Sequence, residues 1–416
     1  MRKSRRNRVV VTGIGVIAPN GVGLRHFWES ILAGRSGIGP ITLFDASGFK
    51  SRIAGEVKNF DPLEYIEPEL KPKRMARHTQ FAYAATKMAL KDANVRMSEL
   101  PSPTPVVIGV SMNAMDLIER AYEAVQQHGP NRVPTSTSAA SIPQAPATVI
   151  ADRIGSCARA ITVSAACPSG LDAIADSANM VRTGEADLAI CGGTDAPITP
   201  LVMSTFIASG LASYQNEFPE KASRPFDLER DSGVISEGAC IFVLENFERA
   251  EARGAKIYLE IAGYGKQRDM DPNRPASGLS GSMKMALANA ACTVDEIDYI
   301  SAYGPGHPVL DIAEVDIIKE VFGERAYSVP VSSIKAVTGN ALSAGGPFQL
   351  AATALIMRDQ VIAPTANYEF VDPKCDLDFV PNRPRKGNVR RALINVRGIG
   401  GSASSLVVSK PNETDE

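Results

Sequence analysis

The chain has few of the residues that build metal centres or disulfide frameworks: six cysteines, four histidines and one tryptophan in 416 residues. The cysteines, at positions 157, 167, 191, 240, 292 and 375, form no Cys-x-x-Cys pair. Neither a zinc site nor a disulfide scaffold is therefore expected, and reduced thiols fit a cytoplasmic setting. No apolar run approaches the ~20 residues that cross a bilayer. An excess of charge is missing too: 44 Lys and Arg stand against 46 Asp and Glu, net −2, without the basic surplus of a nucleic-acid binder. The opening MRKSRRNR is basic but runs directly into VVVTGIGV. It lacks the apolar core and cleavage site of a secretory signal and reads as a solvated tail. Gly13-Ile14-Gly15 with Ala18 is a partial dinucleotide fingerprint, but Pro19, Asn20 and Gly21 interrupt the helix such a motif needs. No cofactor and no metal are expected.

What is present is an ordinary globular composition, 44% hydrophobic and 22% charged, long enough for one large or two medium domains. The stretch with the most chemical content is ITVSAACPSGLDAIADSANMVRTG, from Ile161 to Gly184. A β-prone run, Ile161-Thr162-Val163, gives way to small residues and then to Cys167. Leu171, Ile174, Ala175, Ala178 and Val181 follow at helical spacing. This is strand, tight turn and helix, with Cys167 at the turn and Pro168 suited to the first helical position. A thiol at a helix N-terminus faces unpaired N–H groups and the positive end of the dipole, which predicts a lowered pKa and a nucleophile.

The second half of the chain repeats the first. Val9–Thr12 ends in Gly13-Ile14-Gly15, and Ile257–Ala262 ends in Gly263-Tyr264-Gly265. Lys87-Met-Ala-Leu90 recurs as Lys284-Met-Ala-Leu287, and each copy precedes a β-prone run, Val106–Val110 and Tyr299–Ala302. The Cys167 segment has its counterpart in Val329–Met357, and Asp187–Gly193 in Ala392–Gly401. The pattern predicts a duplicated α/β unit with halves 1–255 and 256–416. Ligands of such folds bind outside the carboxyl ends of the strands, so the loops 301–308, 335–346 and 398–402 should converge on Cys167.

These segments resemble the elongating β-ketoacyl-acyl-carrier-protein synthases of the thiolase-like condensing-enzyme superfamily. The likeness runs from VTGIGVIAPNGVG at Val11 to GIGGSASSL at Leu406. It includes ACPSGLDAI, RPFDLERDSGVISEGAC, the LDIAE that ends at Glu314, SSIKAVTGN and GIGG. It implies a thiolase-like fold with α-β-α-β-α layers and an acyl chain carried on Cys167. The implied oxyanion hole is the N–H groups of Cys167 and Ile399. An acyl-carrier protein is the implied donor, and a homodimer the implied assembly.

The sequence departs from the family at its two histidines, which polarise the malonyl thioester while it loses CO2. A loop resembling AHGTSTP reads AYGPGHP here, so Tyr303 replaces the first histidine; a loop resembling KSMTGH ends in Asn340. Two threonines that hold the pantetheine arm become Pro305 and His307, and Ile399, followed by Gly400, takes the place of a gating phenylalanine. Lys335, Glu314 and Glu237 are retained. Asn340 has precedent in the Cys-His-Asn set of initiating and chalcone-synthase-like enzymes; Tyr303 is the serious change. A phenol with a pKa near ~10 cannot supply a cation at neutral pH, so acyl loading with weakened condensation is expected. The alternative is a partner subunit of an active ketosynthase, like a chain-length factor, although such subunits usually lack the cysteine. Lys71, Lys73, Arg74 and Arg77 form a basic cluster expected to dock an acidic carrier protein.

Overall fold

The structure, a computed structural model, describes residues 7–155, 159–271 and 273–411. Ten strands, numbered in chain order, make the backbone of one sheet. They are β1 (Val9–Ala18), β2 (Val106–Gly109), β3 (Ala160–Val163), β4 (Leu188–Asp195), β5 (Gly238–Asn246), β6 (Leu259–Arg268), β7 (Tyr299–Ser301), β8 (Val331–Ser332), β9 (Arg391–Arg397) and β10 (Ser402–Ser409). Their spatial order is β8-β7-β9-β10-β6-β1-β5-β4-β2-β3. Read outward from the centre, each half places its strands first, fifth, fourth, second, third, with β6 to β10 repeating β1 to β5. The pairs β2–β3, β2–β4, β7–β8 and β7–β9 are parallel, and the inner pairs antiparallel. Within the sheet the two halves pair at Val10 opposite Glu260 and Val11 opposite Leu259. On its other side β6 runs beside β10, with Glu260 opposite Ser409, and Arg8 closes an ion pair to Glu260 at 2.6 Å.

Five helices matter for the site: α1 (Arg77–Asp92), α2 (Ser169–Arg182), α3 (Ser277–Asn289), α4 (Pro308–Phe322) and α5 (Gly345–Asp359). Helices α2 and α5 lie against each other and against strands of both halves, while α1 packs on β1 and β5, and α3 on β6 and β10. This gives the five α-β-α-β-α layers. Helix α5 is buried from Gly345 to Met357, so its mostly apolar sequence follows from being enclosed on every side.

The paired glycines find their reason in this layering. A Cβ on Gly13 would stand 2.2 Å from the Ala89 carbonyl oxygen, and one on Gly15 1.9 Å from that of Ala85. Gly263 and Gly265 meet Ala286 and Ser282 of α3 at 2.3 and 2.0 Å in the same way. The glycines let a helix lie directly on a strand and cradle no phosphate; Gly13 and Gly15 sit inside β1. Residues 34–73 hold only two-residue strands and single 3-10 turns. Among the described residues no helix is long and apolar enough to cross a membrane.

Candidate active site

The carboxyl ends of β3, β7, β8 and β9 open on one cavity of ≈ 260 Å³. Cys167 lies in its wall, 3% exposed, and the predicted turn is there: Ala166 takes a left-handed φ of 60° and α2 begins at Ser169. Pro168 occupies the cap rather than the first helical position, a one-residue difference. The Ser169 hydroxyl accepts from the Ala165 N–H at 2.8 Å, bracing the turn. Gly398 follows β9 and touches the nucleophile's backbone. A Cβ there would come within 2.7 Å of Pro168 Cδ and 3.1 Å of the Cys167 nitrogen.

Three groups act on the thiol. The Tyr303 phenol, the Lys335 ammonium and the Ile399 N–H all lie where they favour a negative charge on the Cys167 sulfur. Burial outweighs them and, with Asp195 nearby, pushes the thiol above its ordinary pKa. The sequence expectation of a lowered pKa is thus corrected. A helix terminus depresses a thiol that keeps some solvent, whereas full desolvation works against the thiolate.

Tyr303 is held from below. Its N–H and that of Gly304 both donate to Glu314, at 2.9 and 2.8 Å, so this carboxylate organises the loop and does not meet the thiol directly. The Lys335 Nζ stands 4.6 Å over the Tyr303 ring and donates to Gln349 Oε1 at 3.3 Å. Burial, then the Cys167 charge, raise the Tyr303 phenol well above its ordinary pKa, against the opposing influence of Arg397 and Asn340. Asn340 Oδ1 is buried without a hydrogen-bond partner among the described residues.

His307 is neither a solvated loop residue nor aimed at the sulfur. It caps α4: its Nδ1 accepts from the Val309 and Leu310 N–H groups at 3.1 and 3.3 Å, ahead of Pro308 at the first helical position. Nδ1 is committed as an acceptor, which leaves Nε2 with the proton. Burial, with Arg230 and Arg397 nearby, holds this imidazole below its ordinary pKa. Pro305, Ile399 and Gly400 line the cavity with it, and the Ile399 side chain is 54% exposed at the mouth.

Two further polar side chains stand in or near the site without a motif in the sequence to mark them. Gln349 lies inside apolar α5, where its Nε2 donates to Ser301 and Ala302 carbonyls and to that of Asn395, at 3.2, 2.8 and 3.1 Å. A lone amide within FQLAA was the available signal. Arg397 closes β9 and lines the cavity, paired to Asp269 at 2.8 Å. A charge between a buried strand and a glycine loop was the corresponding clue.

The basic cluster divides. Lys71, Lys73 and Arg74 are exposed and form no ion pair among the described residues. Arg77 is turned inward: its Nε and Nη2 donate to the buried Glu237 at 2.8 and 2.6 Å. It is removed from the docking surface; Arg77 and Glu237 stabilise each other near Val57, whose carbonyl also accepts from Arg77. Of the cysteines, 191, 240 and 375 are buried and free, Cys292 is half-buried and free, and Cys157 lies outside the described residues.

Residues 6–250 match the family model described as beta-ketoacyl synthase, N-terminal domain, and residues 258–369 match the beta-ketoacyl synthase, C-terminal domain. The chain belongs to the beta-ketoacyl synthase family. It is 39% identical to the tetracenomycin polyketide synthase ketoacyl synthase alpha subunit of Streptomyces glaucescens, over 100% of both chains. It is 37% identical to the 3-oxoacyl-[acyl-carrier-protein] synthase 2 of Coxiella burnetii, over 97% of this chain and 99% of that one. Among solved structures, the ishigamide ketosynthase/chain length factor superposes with a TM-score of 0.91 at 32% identity, over 98% of this chain and 100% of the other. The fold is thiolase-like, and the ketosynthase family is one of acyl-transferring condensing enzymes.

Proposed function

We propose that this ketosynthase takes an acyl group from an acyl-carrier protein onto Cys167 and that its decarboxylative step is weak. The observation that supports it most is a buried cysteine whose sulfur meets a phenol and a backbone N–H, in a cavity whose single imidazole is engaged elsewhere. Attack of the Cys167 sulfur on a pantetheine thioester forms one carbon–sulfur bond and breaks another. The proton that Cys167 gives up ends on the departing pantetheine sulfur. The N–H groups of Cys167 and Ile399 receive the oxyanion, a stabilisation that needs no histidine.

Condensation asks for more. Loss of CO2 from a malonyl thioester places charge on the thioester oxygen, and donors must strengthen as it develops. Tyr303 and Asn340 are both neutral and line the cavity with Cys167. Losing one charge-assisted donor costs about 3 kcal/mol, roughly a hundredfold in rate.

The acyl-carrier protein would dock on Lys71, Lys73 and Arg74, and the protein would work in the cytoplasm as a homodimer, with the half-exposed edge strand β3 available to a second copy. A second reading, a partner subunit that shapes another ketosynthase's pocket, draws on the likeness to a ketosynthase/chain length factor; the intact nucleophile speaks against it. Incubation with acyl-carrier protein followed by mapping of the adduct separates them. The acyl mass is expected on Cys167 and absent from Cys167→Ala. Labelling of Cys191, Cys240, Cys292 or Cys375 instead defeats the proposal, and no acylation at all leaves the partner role.

A further inference from the structure

Arg397 lines the cavity that holds Cys167. One Nη is engaged by Asp269, while Nε is buried and has no hydrogen-bond partner among the described residues. A guanidinium carries five N–H donors, and a buried one left unbonded is costly unless something fills the place. The charge reaches the site: it bears on both Tyr303 and His307. No aspartate or glutamate lines the cavity to oppose it. His307 adds an Nε2–H, since its other nitrogen caps α4. The remaining wall includes Phe206, Leu211 and Leu310. At ≈ 260 Å³ the space falls just below the ~300–1,000 Å³ usual for ligand pockets.

We infer that the acyl group carried by this ketosynthase is short and bears a carboxylate, which Arg397 and the His307 Nε2–H receive. The inference rests on the proposal that Cys167 is acylated, and it names the substrate class of that site. It agrees with the weak decarboxylation argued above. A carboxylate held by a guanidinium is stabilised in the ground state, and that stabilisation fades as CO2 departs and charge moves to the thioester oxygen, so the interaction raises the barrier. In loading, the carboxylate stays intact: the thioester passes from pantetheine to Cys167, and the proton passes the other way.

The test compares succinyl- and butyryl-carrier protein, equal in chain length, by the initial rate at which intact-protein mass spectrometry finds each group on Cys167. Succinyl is expected to load about tenfold faster or more, the range for a hydrogen-bonded charge pair. In Arg397→Leu the succinyl-to-butyryl ratio should fall at least tenfold, and in Arg397→Lys by less. Equal rates for the two groups in the unmodified protein overturn the inference while leaving acylation of Cys167 standing. A ratio unchanged in Arg397→Leu, with both rates lowered together, also overturns it and makes Arg397 a structural partner of Asp269. If neither group loads, the acylation proposal fails and this inference falls with it. Should the leucine variant not fold, as judged by circular dichroism, the lysine variant and the unmodified ratio decide.

Discussion

Tyr303 is the residue on which the chemistry turns. It lines the cavity with Cys167 and Asn340 and lies beneath the Lys335 ammonium, but it brings no positive charge of its own. Tyr303→His is expected to raise CO2 release from malonyl-carrier protein by about a hundredfold, the value of a recovered donor, with a smaller change in Cys167 loading. Radiolabelled CO2 trapping measures the first and adduct mass the second. Ordinary decarboxylation by the unmodified protein would show that Tyr303 already does the work of an imidazole. Lys335 offers a pH readout. Burial lowers it to about 8, against the pull of Glu314, Cys167 and Asp311, whereas an unfolded lysine titrates near ~10.4. Between these values the folded protein binds fewer protons than the unfolded chain, so this group's contribution to stability rises with pH. The stability of the unmodified protein relative to Lys335→Met should therefore climb by up to about 3 kcal/mol from pH 7.5 to 10 in denaturant titrations. A flat difference would mean that Glu314 keeps the ammonium charged. The sequence marked Cys167, Tyr303 and Asn340 because their motifs are local. It missed the direction of the thiol's pKa, because burial depends on which chain segments close over the turn.

At the scale of elements, the clearest lesson concerns where helices begin. Helix α1 starts at Arg77 itself, and this start carries Arg77 to the buried Glu237. A run of four basic residues looked like one surface and is two things: three exposed charges and one interior ion pair. Arg77→Met should destabilise the protein by about 3–5 kcal/mol, since it strands a buried carboxylate. Lys73→Glu with Arg74→Glu should leave the melting temperature nearly unchanged but weaken carrier-protein binding several-fold at low salt, an effect that added salt removes. Calorimetry measures both. Unchanged affinity after the double reversal would show Lys73 and Arg74 to be merely solvated. His307 teaches the same point: histidine before proline and three residues before Leu310 is a helix cap, legible in retrospect from the proline at the first position.

For the molecule as a whole, the duplication was readable because it rests on spacing and on paired glycines that face helices in both halves. The five layers follow once two such units share their inner helices. Less readable were Arg397, in the cavity wall, and Gln349, the partner of Lys335: they come from β9 and α5, distant in sequence from Cys167, and only the closed layering brings them near it.

The narrow seam at β6 has one more consequence. Val10 and Ser409 face Glu260 from opposite sides of the same strand, so the first and last strands run only about two strand spacings apart, roughly 10 Å. A few linking residues could join them without crossing the sheet. The fold can therefore be rewired as a circular permutant, its order of synthesis changed while the cavity around Cys167 keeps every wall.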